Sequence, residues 1–416
     1  MRILKLTPRT EKRVVSRRAQ QDDEARSVSA EIVADVRKRG DSALFAWTKK
    51  LDHTDLVRAG AWISRKEIRA AERRVSSEFL NAIKKAANNV RRVAEKQLPR
   101  SWIIETVPGV KIQQLVRPID AIGCYVPGGR FSLVSTLVMT VVPAKVAGVS
   151  RIVAVCPKPS PELLSAAGLL GITEIARIGG AQAVAALAYG TQSIPRVDKI
   201  FGPGNKYVTA AKQLVSTDCA IDLPAGPTEA IVFADHGNPR WIAADLLAQA
   251  EHAKDAASFF VTTSRSLARE VQREIKWQLG ELPSSVASIS TEIAGAILIA
   301  DSLDHACEFI NRFAPEHLSF PEGAEGLLQK IHSAGTVFIG PWGAQPLGDY
   351  VTGSNHVLPT GGWARMRGGL STADFVKCMS VQAISRNGFL RLADAAETLA
   401  ESEGLMAHRN AVRVRR

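Results

Sequence analysis

Asp245, Gln249 and His252 lie at positions i, i+4 and i+7 of the run Arg240-Trp-Ile-Ala-Ala-Asp-Leu-Leu-Ala-Gln-Ala-Glu-His-Ala. The apolar residues of that run recur at helical spacing, which places the three polar side chains on one helix face. A carboxylate, a carboxamide and an imidazole in an Ala/Leu-rich helix need partners, because burying an unpaired polar group is costly. Gln249 and His252 can together hold a metal ion, through a carbonyl oxygen and a ring nitrogen. A solvated helix edge with a satisfied histidine is the other reading, and this stretch alone leaves both open.

Two further stretches carry chemistry. Ala314-Pro-Glu316-His317 sets a carboxylate beside an imidazole just before the strand-like Leu318-Ser-Phe. Such a pair can share general-base work near neutral pH. Adjacent residues of a strand point opposite ways, so both reach one cleft only if the pair lies on a loop. The glycine-broken stretch Gly348-Asp349-Tyr350-Val-Thr-Gly-Ser-Asn-His356 adds another carboxylate and another imidazole. Near the C-terminus, His408 follows Glu403 by five residues.

Three glycine loops complete the candidates: Tyr125-Val-Pro-Gly-Gly-Arg130, Ile178-Gly-Gly-Ala-Gln182 and Phe201-Gly-Pro-Gly-Asn205-Lys206. Glycine lets backbone N–H groups approach phosphate oxygens closely. None is a complete dinucleotide fingerprint, since Gly202-Pro-Gly204 is followed at the third position by Tyr207. Cys124 precedes Tyr125 and invites a covalent route, but in a buried strand a free thiol is usually inert.

The elements that must hold these residues alternate. From Asp120 the pattern is strand, then helix, repeatedly, with a second such series from Glu229 to about Gly340. Strand–helix repeats at this spacing imply parallel sheets covered by helices, with loops and ligands along one sheet edge. The expected fold is α/β, with two Rossmann-like parallel-sheet domains joined near Pro224–Thr228. Residues 1–20 read as a basic arm and 21–120 as a helical region packing with the second α/β domain. Residues 121–228 and 229–370 are the two α/β domains, and 371–416 a helical tail.

Composition removes several classes. Of 416 residues, 46% are hydrophobic and 23% charged, which is ordinary for a globular chain. No stretch reaches the apolar length of a membrane span, and Met1 to Arg9 lacks a signal-peptide core, so the expected place is the cytoplasm. Cys124, Cys156, Cys219, Cys307 and Cys378 are scattered and never spaced as CxxC. A metal here must use His, Asp, Glu or Gln rather than thiolates. The net charge of +12 is spread over helix faces and both termini, with no nucleic-acid-binding signature.

The chain resembles the histidinol dehydrogenase family nearly end to end. The resemblance rests on Asp222-Leu-Pro-Ala-Gly-Pro-Thr228-Glu229, Gln249-Ala-Glu-His252, Pro315-Glu-His317, Gly348-Asp-Tyr with Asn355-His356-Val-Leu-Pro-Thr, and Leu405-Met-Ala-His408-Arg-Asn-Ala-Val. It implies two NAD-dependent hydride transfers that take L-histidinol through histidinal to L-histidine, the last step of histidine biosynthesis. By the same resemblance Gln249, His252, Asp349 and His408 bind one zinc ion per subunit, and Glu316 and His317 are the acid/base pair. Thr228, His356 and Glu403 join those six in contacting substrate, while Tyr125, Gln182 and Asn205 contact the dinucleotide. The tail carrying Glu403 and His408 completes the site of a second copy, which implies a homodimer. A relative that oxidises a sulfonated propanediol shares this equipment, but a sulfonate wants a cation where Glu403 stands. A zinc hydrolase leaves the three glycine loops without a task.

Overall fold

The computed structural model describes residues 1–16, 23–128, 133–223, 226–252, 256–283, 294–322 and 325–416. The end of the basic arm, the Gly129-Arg130 end of the first glycine loop and Pro224-Ala225 of the interdomain joint lie outside the described residues. In chain order the strands begin with β1 (Arg2–Lys5), β2 (Trp102–Val107), β3 (Val110–Pro118), β4 (Ala121–Tyr125), β5 (Arg151–Val155), β6 (Ile175–Ala176) and β7 (Lys199–Phe201). They continue with β8 (Ala220–Ile221), β9 (Glu229–Phe233), β10 (Ala257–Thr262), β11 (Ala294–Ile299), β12 (His317–Phe320), β13 (Thr336–Ile339) and β14 (Val376–Ile384).

Two of the three sheets are parallel, as expected for α/β domains. The first runs β6-β5-β4-β7-β8 and the second β1-β11-β10-β9-β12-β13. Both β4, from Ile122 on, and all of β9 are buried, as befits strands covered on both faces. The connecting helices start where short polar side chains cap them: Ser160, Asn205, Asn238, Ser264 and Ser302 each accept a hydrogen bond from a first-turn backbone N–H. Among the described residues no helix is long and apolar enough to cross a membrane.

Three expectations need correction. The helical region packs chiefly on both faces of the first sheet rather than on the second, whose unit it meets where Asn89 bonds to Val351. Ile32, Val33, Val36 and Leu44 join the core of Val153, Val184 and Ile200, while Ile68, Ile83 and Val90 join Leu137, Val141 and Leu163. An amphipathic helix shows its apolar face in sequence without showing which sheet receives it. The basic arm is not a region apart: β1 pairs with β11 at the edge of the second sheet, and helix Pro8–Ser16 buries Val14 in that core.

The tail, expected to be helical, has a nine-residue strand, β14, after a short 3-10 turn at Thr372–Phe375. The strand pairs antiparallel with β3 from Val376↔Pro118 to Ile384↔Val110, and β2 adds a third strand. Only then come the tail helices Arg386–Ser402 and Met406–Arg413, the second of which buries no residue.

Candidate active site

Helix Pro239–Glu251 follows β9 and returns antiparallel to it, so its last turn reaches the edge where β9 and β12 begin. Gln249 lies in that last turn and His252 just beyond it. Thr228 immediately precedes β9, Glu316 immediately precedes β12, and His317 is the first residue of β12. The pair thus straddles the start of a strand, which lets both side chains reach one cleft. The edge is the N-terminal one, opposite to that expected from the rule for parallel sheets; the glycine loops of the first sheet do lie at C-terminal strand ends.

The cluster is knit by hydrogen bonds. Glu316 Oε2 accepts from the Thr228 hydroxyl and, at 3.0 Å, from the Glu229 backbone N–H. Thr228 Oγ1 in turn accepts from Gln249 Nε2 at 2.9 Å, and Gln249 Oε1 accepts from Gln345 Nε2 at 2.7 Å. His317 Nδ1 is 3.7 Å from Glu316 Oε2, and its Nε2 is 3.5 Å from Asp349 Oδ1. Neither contact is a good hydrogen bond, and both ring nitrogens are buried without a partner. Such orphaned nitrogens are costly unless something else is to meet them. The Phe338 ring stacks on His317 at 6.2 Å, and a Cβ at Gly348 would lie 2.5 Å from that ring. Glycine in Gly348-Asp349 therefore makes room for the aromatic that backs the imidazole.

His356 Nδ1 lies 2.7 Å from the Asp349 backbone carbonyl, which only accepts, so Nδ1 carries the proton. Its Nε2 is 3.5 Å from Thr136 Oγ1. The loop that bears both residues is propped by Asn89, whose amide donates to the Val351 carbonyl at 2.7 Å. His252 is exposed.

Burial raises the Glu316 carboxyl pKa against the opposing pull of His317 and the Thr228 and Glu229 hydrogen bonds. At His317 burial works against the imidazolium, but Glu316 and Asp349 outweigh it and the pKa is raised. At Asp349 burial is likewise outweighed, by His317 first, and the carboxyl stays ionised below the usual range.

Asp245, on the same helix face, is lifted by burial alone to a pKa of about 6. Its folded-state proton is held more tightly than in the unfolded chain, so the associated stability is full below about pH 4 and lost as pH rises through about 6. Asp245→Asn is therefore expected to stabilise the protein at pH 7.5 by about 1–2 kcal/mol, after discounting for partial exposure. It is expected to have no effect below pH 4; thermal melts at the two pH values check this.

On the first sheet, the Tyr125 hydroxyl accepts from the Gly180 N–H at 3.0 Å, and burial keeps that phenol protonated. Gln182 is fully buried; its amide donates to Asp52 at 3.0 Å while its Oε1 has no partner. Asn205 caps helix Lys206–Val215. Gly202 has φ +112°, and a Cβ there would strike the Tyr125 carbonyl, so the ends of β7 and β4 close on one another only through glycine. Cys124 is fully buried with its thiol pushed up to about 12, which leaves it inert.

Glu403 and His408 are exposed on the tail and are not brought into the cluster of their own chain. Among the described residues, no three His, Cys, Asp or Glu side chains of one chain gather as a metal site. Sequence reasoning missed Gln345, Phe338 and Asp52. For Gln345 a signal existed: it precedes Asp349 by four residues, the spacing that links Asp245 to Gln249.

The chain matches the family model described as histidinol dehydrogenase over residues 15–416. It is 44% identical to the histidinol dehydrogenase of Methanosarcina mazei over 413 residues, covering 97% of this chain and 94% of that one. It is also 44% identical to that of Aquifex aeolicus over 389 residues, covering 93% and 91%. The crystal structure of histidinol dehydrogenase from Elizabethkingia anophelis is similar at a TM-score of 0.94 and 38% identity, covering 100% of this chain and 98% of that one.

Proposed function

Because the chain belongs to the histidinol dehydrogenase family, we propose how its own residues divide the work of that reaction. The reaction is the NAD-dependent oxidation of histidinol in histidine biosynthesis. Glu316 and His317 move the protons. The observation that carries this is a carboxylate and an imidazole buried side by side, the imidazole with two unpartnered nitrogens.

The donor set fits one zinc ion. Gln249 offers a carbonyl oxygen, His252 a ring nitrogen, and Asp349 a carboxylate that its surroundings keep ionised. These come from one chain. The fourth ligand, His408, comes from a second copy, together with Glu403, whose carboxylate suits an ammonium or imidazole group of the substrate. A homodimer follows from that reading. Apolar side chains left in water on the tail and on β2 of the same sheet support it: Leu399 is 64% exposed, Val414 68% and Ile103 60%.

Zinc held by Gln249, His252, Asp349 and the second copy's His408 would fix the substrate in place, and NAD bound at the glycine loops would accept hydride. His317 takes the hydroxyl proton as hydride leaves the carbinol carbon, which yields histidinal. Glu316 then removes a proton from water; the hydroxide oxygen adds to the aldehyde carbon, and His317 returns its proton to the former carbonyl oxygen. From the resulting hydrate His317 takes a hydroxyl proton again as the second hydride leaves, giving the carboxyl group of L-histidine. Thr228 and His356 contact the substrate beside this pair. Tyr125, Gln182 and Asn205 hold the dinucleotide at the glycine loops. Five thiol side chains, none in a disulfide, fit a reducing compartment, and we place the enzyme in the cytoplasm.

Purified protein with L-histidinol and NAD should generate NADH, lose that activity on chelation and regain it with zinc. Undiminished turnover after complete metal removal would sink the zinc assignment, and a faster rate on a sulfonated propanediol would sink the choice of substrate.

A further inference from the structure

Gln345 begins the short helix Gln345–Tyr350 and is only 2% exposed. It stands at the head of a directed series of hydrogen bonds that ends on the base. Gln345 Nε2 donates to Gln249 Oε1 at 2.7 Å, Gln249 Nε2 donates to Thr228 Oγ1 at 2.9 Å, and the Thr228 hydroxyl donates to Glu316 Oε2. The direction is set from the far end. Glu316 Oε2 also accepts a fixed backbone N–H, and Thr228 has one proton to give. With that proton committed to the carboxylate, Thr228 can only accept from Gln249, so it must face the amide NH2. The Gln249 carbonyl then points the other way, and only a donor can meet it there. Gln345 is that donor.

We propose that Gln345 is a positioning residue that locks the Gln249 amide in the single orientation serving both halves of the site. In that orientation the carbonyl oxygen is presented as a metal ligand and the NH2 supports Thr228 and Glu316. A carbonyl oxygen has two lone pairs, so accepting from Gln345 leaves one for a cation. A flipped amide would turn its NH2 toward the cation and draw the Thr228 proton away from Glu316. The inference rests on Gln249 being a zinc ligand, as proposed above.

Gln345→Met keeps the volume and removes the donor; Gln345→Glu keeps the shape and replaces the donor by an acceptor that favours the flipped amide. The measurements are the zinc dissociation constant, by competition with a chromophoric chelator, and the visible spectrum of the cobalt(II)-loaded protein. Both variants are expected to bind zinc about 10–100-fold more weakly, the size typical of lost support behind a metal ligand. The cobalt spectrum should change in both, while the metal-free melting temperature of Gln345→Met stays near that of the unmodified protein. A packing role alone predicts that the isosteric Gln345→Glu keeps both affinity and spectrum, and unchanged affinity in both variants overturns the inference. Gln249→Ala, measured alongside, separates the two claims. If it binds zinc normally, the ligand assignment itself has failed; if it loses zinc while both Gln345 variants keep it, only the positioning role has failed.

Discussion

His317→Asn is expected to lower kcat by about 10²–10⁴-fold, the usual worth of a general base, while zinc content stays near normal. Asparagine keeps a polar side chain in the buried position but cannot take a proton at neutral pH. His317 is outside the donor set, so its loss leaves Gln249, His252 and Asp349 in place. The pH profile gives a second check. With the imidazole pKa raised above its ordinary 6.5 by Glu316 and Asp349 over the opposition of burial, the neutral base is lost as pH falls through that raised value. Activity should therefore decline on the acid side from above about 6.5, and His317→Asn should abolish that limb. Full activity in the variant would remove His317 from the mechanism.

Glu316→Gln should separate the two oxidations. The amide still accepts hydrogen bonds from Thr228 and Glu229, so the local structure is kept, but it cannot activate water. The first hydride transfer should persist, whereas oxidation supplied directly with histidinal should fall by about 10²–10⁴-fold. NADH formed per histidinol consumed should drop from two toward one, with aldehyde recoverable by a carbonyl trap. Two equivalents of NADH at an undiminished rate would move water activation to another group.

Much of this arrangement was legible because the two parallel sheets are written in unbroken apolar runs. Ile152 to Val155 and Ala230 to Phe233 can only be buried strands between helices. The ribbon was harder. β14, Val-Lys-Cys-Met-Ser-Val-Gln-Ala-Ile, is exposed along nearly its whole length, so no apolar face marks it as a strand. β12 is four residues long, too short for its sequence to show whether Glu316 and His317 lie on a loop or at a strand start.

The site residues show the same division. Asp245, Gln249 and His252 announce themselves by helical spacing. Gln345 is harder to see: a six-residue helix holding Pro346 and Gly348 is too short for a full periodicity, and leaves only the four-residue spacing to Asp349. Glu403 and His408 lie exposed in the chain that carries them, and no single-chain pattern tells what they meet.

The shared site is tested most directly by mixing two defective chains. His317→Asn and His408→Asn are each expected to be nearly inactive alone, the second through lost metal. In a dimer of one chain of each kind, the body of the His408→Asn chain receives the intact tail of the other, and one site becomes whole. Co-expressed chains carrying different affinity tags, purified on both tags in turn, should therefore show turnover far above either parent. Doubly tagged dimers no more active than their parents would contradict a site built from two copies.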